Sequence, residues 1–174
     1  MKKRDILISL AIIAMAVMIL FYYLQGKGKI KIDAGGAAAK LHLSGGLFGQ
    51  TTINSEAEFT KVNVQPHRPK RLILLMKQDG NTWQIDSRGP WGKLSTIRVN
   101  NNETTALKLG PPFLIKPRVK EINSRVLIDF AIIGQAGEQY QNVISKNNRS
   151  VSAPKVKITD EAGNVLASGR FEYG

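Results

Sequence analysis

From Ile6 to Leu24 the chain runs ILISLAIIAMAVMILFYYL without a charge, a glycine or a proline. A helix over that run would rise about 28 Å at 1.5 Å per residue, which matches a hydrocarbon core of about 30 Å. Lys2, Lys3 and Arg4 precede it, and Phe21, Tyr22 and Tyr23 close it where an interfacial aromatic belt would lie. The run reads as an uncleaved transmembrane anchor bounded by Ile6 and Leu24. A cleaved signal peptide is the rival, but its apolar region is usually only about 7 to 15 residues long. The small-residue triplet Ala14, Met15, Ala16 falls inside the run, and Gln25, Gly26 and Lys27 beyond it offer no small-x-small site. Lys27, Lys29 and Lys31 nearly balance the basic start, so charge alone sets no orientation. A short tail ahead of a long domain is the signal-anchor arrangement, which places residues 1–5 in the cytoplasm and the bulk of the chain outside a single-pass cell-membrane anchor.

Beyond the run, apolar residues recur with a period of two, the signature of half-buried strands. Lys29 to Asp33 reads as a short strand, Ala34 to Ala39 (AGGAAA) as a linker with little to pack, and Leu41 and Leu43 as one face of a strand whose other face carries Lys40 and His42. Residues 44–49 (SGGLFG) read as a loop. Glu56 to Val64 alternates again. Leu72 to Met76, Asp79-Gly80 and Asn81 to Asp86 form the clearest local signal, a hairpin on a two-residue turn. Leu94 to Val99, Thr105 to Leu109 and Phe113 to Val119 each fit a strand, with Pro117 confining the last to an edge. Arg125 to Ile133 reads as a central strand and Tyr140 to Ile144 as a weaker one. Lys155 to Thr159 should pair with Val165 to Tyr173 through the turn at residues 160–164. The predicted organisation is a tail over 1–5, a span over 6–24, a strand and linker over 25–38, and a β-sandwich over 39–174.

The stretch from Thr105 to Gly174 carries LKLGPP, then VLIDFAIIGQAGEQY, then PKVKITDEAGNVLASGRFEYG. It resembles the immunoglobulin-like or fibronectin-like domains of bacterial envelope proteins of unassigned role. The resemblance implies an immunoglobulin-like antiparallel β-sandwich; with the strand periodicity and the run at 6–24, the expected fold class is all-β, preceded by one N-terminal transmembrane helix. It carries over no functional residue.

Chemistry is sparse. The chain has no cysteine, which removes disulfides, thiolate zinc sites and Cys nucleophiles. It has two histidines, His42 and His67, both read as surface residues, and no G-x-S-x-G turn. Asp160, Glu161 and Asn164 lie in a predicted hairpin turn, where Asp is favoured for backbone reasons, and no full calcium loop surrounds them. No phosphate-cradling GxxxxGK[ST] loop occurs. Catalytic, cofactor and metal sites are therefore not expected.

The formal charge is +12, of which residues 1–24 carry only two, so the β domain itself is basic. Arg68, Lys70 and Arg71, between and after Pro66 and Pro69, form one basic run. Arg88, Trp91 and Lys93 surround a Gly-Pro-Trp-Gly loop whose tryptophan could stack on a sugar or pack on the core. Together the six are the candidate binding patch. The leading expectation is a non-enzymatic structural or protein-interaction module of the cell envelope, with the membrane and an envelope protein as partners. The alternative is a binding module for an anionic polymer, lipid headgroup or glycan through that patch. Nucleic acid is not an expected partner.

Overall fold

The computed structural model describes residues 3–24, 26–44, 49–123, 125–141 and 143–171. The apolar run forms a helix, α1 (Lys3–Leu24, 22 residues). Among the described residues no helix is long and apolar enough to cross a membrane, so the span expected over residues 6–24 is not met there. The side chains of Ile6, Phe21, Tyr22, Tyr23 and Leu24 lie outside the described residues. All of those from Ile8 to Leu20 are exposed.

Among the described residues, everything after α1 that has regular structure is strand, apart from a 3-10 turn at Gly92–Ser95. A three-stranded sheet orders β4 (Thr60–Asn63), β1 (Lys27–Asp33) and β7 (Thr104–Lys108). A six-stranded sheet orders β12 (Arg149–Ser150), β11 (Ile144–Lys146), β6 (Asn81–Ser87), β5 (Arg68–Gln78), β2 (Ala38–Ser44) and β3 (Gln50–Asn54). Ile30 and Ile32 of β1, Val62 of β4 and Leu107 of β7 join Leu41 and Leu43 of β2, Leu72 and Leu74 of β5 and Ile85 of β6 in one buried cluster. The two sheets thus share a core, built from every second residue of each strand as the alternation requires. Each fully buried aliphatic side chain there contributes about 1.5–3 kcal/mol relative to exposure.

Two further units leave this body. β8 (Leu114–Ile122), β9 (Arg125–Ile133) and β10 (Gln139–Tyr140) form a sheet in the order β10-β9-β8, in which the β8–β9 pair makes a long ribbon. β13 (Lys155–Thr159) and β14 (Val165–Arg170) pair only with each other among the described residues. Strands of the 105–174 stretch are therefore divided among four sheets.

Several expectations change in detail. The sheets are not wholly antiparallel, because β1 runs parallel to β7 from Lys29↔Thr104 to Asp33↔Lys108. A parallel pair needs a long crossover, and here strands β2 to β6 supply it. The AGGAAA segment is not a loose linker: Ala34, Ala37 and Ala39 are buried, their small side chains admitting close backbone packing, and Gly35 takes φ +58 to turn the chain. Leu94 to Val99 is not a strand: Leu94, Ile97 and Val99 are buried, and positions 94 and 97 would fall on opposite faces of one. Its apolar spacing is met by the 3-10 turn followed by a single bridge between Ile97 and His67. Pairing within 56–64 is confined to β4, and the strand expected over Tyr140 to Ile144 divides into β10 and β11. Loop residues 45–48 and the end of the last predicted strand, Tyr173, lie outside the described residues.

Candidate functional site

The basic run does not form a loop. Arg68, Lys70 and Arg71 open β5, with Pro69 buried among them. A proline inside a sheet demands a break in the ladder. β2 provides one, a bulge between His42↔Arg71 and Leu43↔Pro69 that leaves Lys70 unpaired. β6 pairs with β5 only from Leu72, opposite Ser87, so the start of β5 and Arg88, just past β6, lie at the same end of the sheet. The basic run and the chain leading into the tryptophan loop therefore lie at one end of the six-stranded sheet.

Two of the six patch residues are already engaged. Arg71 donates to Asp86 Oδ2 through Nε (2.9 Å) and through Nη2, and Gln84 donates to the other carboxylate oxygen at 3.0 Å. Trp91 is half-buried against the core, with its indole under Gly89, where φ is +100. The amide of Lys93 donates to Ala136 O at 2.8 Å, but its side chain, like those of Arg68, Lys70 and Arg88, is exposed.

The histidines divide. His42 is half-buried, with Nδ1 2.9 Å from Thr52 Oγ1. His67 is not a surface residue: it is 1 % exposed, because its backbone bridges Ile97 in both directions. Its Nε2 lies 3.0 Å from Asn63 O, an acceptor only, so Nε2 carries the proton and Nδ1 is left without a partner. In the β13–β14 turn the Asp160 carboxylate accepts from the amide (2.8 Å) and the side chain (2.9 Å) of Asn164. The Asn164 side-chain bond, then its backbone bond, hold Asp160 below the usual carboxylate range. Among the described residues no group of three or more His, Cys, Asp or Glu side chains could hold a metal ion.

A larger surface lies on the ribbon. Opposite residues of an antiparallel pair share a face, and the register Ile115↔Ile132, Pro117↔Phe130, Val119↔Ile128 makes one face apolar. The other face carries Lys116, Arg118 and Lys120 across from Ala131, Asp129 and Leu127. Burial declines along the ribbon. Ala131 and Ile132 belong to the core, and Phe130 meets Phe171 edge-on at 4.8 Å, whereas Val119 is 65 % and Val126 62 % exposed. β-branched residues standing in water on a paired strand have sheet propensity to account for them but no packing.

What holds the base of the ribbon is a buried carboxylate that sequence patterning did not single out. Glu138 is fully buried. Its Oε1 accepts from Gly110 N and from Tyr140 Oη, both at 2.7 Å, and its Oε2 accepts from Ala136 N at 2.9 Å. These bonds join the loop before β8, the turn after β9 and β10 into one knot. Tyr140 packs edge-on against Phe113 at 5.2 Å, and burial, reinforced by the Glu138 charge, pushes its hydroxyl pKa far up. A Cβ at Gly134 would lie 2.1 Å from Glu138 Oε1, so any larger residue there has to displace the bonded carboxylate. The one sequence signal was the triplet Gly134, Gly137 and Glu138 between two strands, which is also ordinary turn composition. Comparison with protein families, with curated proteins and with solved structures finds no match to this chain.

Proposed function

We propose that the chain is a membrane-anchored, extracytoplasmic β module that serves the cell envelope as a structural or protein-interaction part and carries out no catalysis. The observation that carries this reading is the ribbon, whose apolar face extends from the core at Ile132 to Val119 and Val126 in solvent. Exposed contiguous apolar surface on a rigid element marks an interaction site. The anchor is α1. Its support is the uncharged sequence from Ile6 to Leu24, a helical backbone of 22 residues with about 33 Å of rise, and exposure of its side chains from Ile8 to Leu20. An immunoglobulin-like sandwich is the finer fold reading, supported by the core common to the three- and six-stranded sheets. The anionic-polymer patch is the weaker alternative, because Asp86 neutralises Arg71 and Trp91 is spent on packing.

A photo-crosslinking residue at Val119, in the full chain within native membranes, tests the proposal. A discrete protein adduct, lost when Val126→Glu is added, is the expected result. Adducts to lipid alone, or to many proteins without preference, would refute it.

A further inference from the structure

Where the apolar face of the ribbon meets the six-stranded sheet there is a cavity of about 360 Å³. Leu74 and Met76 of β5 and Trp83 of β6 wall one side, and Phe113, Ile115 and Ile132 the other. Among the described lining residues Gln78 and Gln84 are polar, and none is ionisable. A cavity of about 150 Å³ with apolar walls already takes a benzene, so this one has room for roughly a dozen carbon atoms, more than a single protein side chain supplies. Its volume falls in the range of pre-formed ligand sites, about 300–1,000 Å³.

A second observation bears on the ligand's charge. Lys146 of β11 pairs with Trp83 in register, and its Nζ sits over the indole, 5.3 Å from the ring centroid. Among the described residues Lys146 forms no ion pair. A cation is thereby stationed on a wall residue of an otherwise uncharged cavity.

We infer that the cavity takes the hydrocarbon chain of a long-chain carboxylate, with the carboxylate at Lys146. The chain replaces water on apolar walls, and the headgroup stays at the rim, where desolvation is small. The site is separate from the exposed end of the ribbon, so its failure would leave the crosslink expected at Val119 untouched.

The test uses the full chain in phosphatidylcholine nanodiscs with two probes, a diazirine-bearing long-chain carboxylate and the matching alcohol, with adducts located by mass spectrometry. Carboxylate adducts are expected on β5, β6, β8 or β9. Ala37→Phe, which fills a wall position, should remove them. Met76→Glu should do the same by charge repulsion, and because Met76 is 36 % exposed the variant should keep the wild-type near-ultraviolet circular dichroism. Lys146→Gln should lower carboxylate labelling about three- to fivefold, the worth of an exposed ion pair, and leave alcohol labelling unchanged. Adducts confined to α1, adducts that survive Met76→Glu, or equal loss of both probes in Lys146→Gln would each overturn the inference.

Discussion

Replacing Tyr140 with Phe removes a single oxygen from the knot beneath the ribbon. The ring, its edge-on contact with Phe113 and its burial remain. Glu138 Oε1 keeps its bond from Gly110 N but loses the 2.7 Å bond from the hydroxyl. A hydrogen bond to a charged group contributes about 1.5–3 kcal/mol. Because the oxygen keeps one donor, the lower half of that range applies, about 2 kcal/mol, or about 4–8 °C in Tm for a chain of this size. Urea unfolding of the full chain in detergent micelles, followed by near-ultraviolet circular dichroism, measures it.

The pH dependence supplies an independent check. The folded-state pKa of Tyr140 is raised, by burial first and then by Glu138, so its contribution is complete below the unfolded value of about 10. Above that pH the unfolded chain releases the proton and the folded chain holds it. Wild-type stability should then fall relative to Tyr140→Phe by about 1.4 kcal/mol per pH unit. A difference below about 0.5 kcal/mol at neutral pH, or one that does not change between pH 9 and 11, would refute the reasoning that the hydroxyl is committed to Glu138.

Glu138→Gln should cost about 1–3 kcal/mol, because an amide cannot accept from backbone donors with both of its heavy atoms, and the same unfolding assay reads it. Gly134→Ala should be worse, since its Cβ would meet Glu138 Oε1 at 2.1 Å and Cδ at 2.6 Å; loss of soluble folded protein or a Tm drop of more than about 5 °C is expected. Asp160 has a depressed pKa, so the stability it lends the β13–β14 turn is present above the ordinary carboxylate range and lost as pH falls through the folded value. Amide shifts of residues 160–164 should therefore move together in an acid titration, and Asp160→Asn should abolish that movement. Val119→Glu should change stability by less than about 0.5 kcal/mol, since the residue is 65 % exposed, while eliminating the protein adduct formed by a crosslinker placed at Val126.

Local chemistry was legible where a residue type answers a backbone need. Asp79 (φ +50) and Gly80 (φ +72) form the hairpin turn that the dipeptide announces. Arg125 to Ile133 became β9 with the expected ends, and Pro117 lies on the edge strand β8. What could not be read was long-range. Nothing near Lys29 indicates a parallel partner at Thr104, and nothing in PHRPKR indicates that Ile97 will cover His67. The apolar period of β8 and β9 was visible, but a period gives the side of a strand and not what lies against it, so Val119 in solvent and Ile132 in the core look alike in sequence. Of the candidate patch, Arg68, Lys70 and Arg71 open β5 at the sheet end where β6 runs out into Arg88. Sequence reading missed that Asp86 would claim Arg71, because a partner fifteen residues away across a hairpin is set by register.

The position of β1 has a mechanical consequence. Only residues 25 and 26 separate α1 from β1, so a pull on the helix enters the β body along that strand. β1 is gripped on both sides, antiparallel by β4 and parallel by β7. With the load leaving through the ribbon, whose chain continues from β7, the β1–β7 ladder is strained along its length. Its rungs then bear the force together instead of opening one after another, and the helix joins the body at a shear clamp.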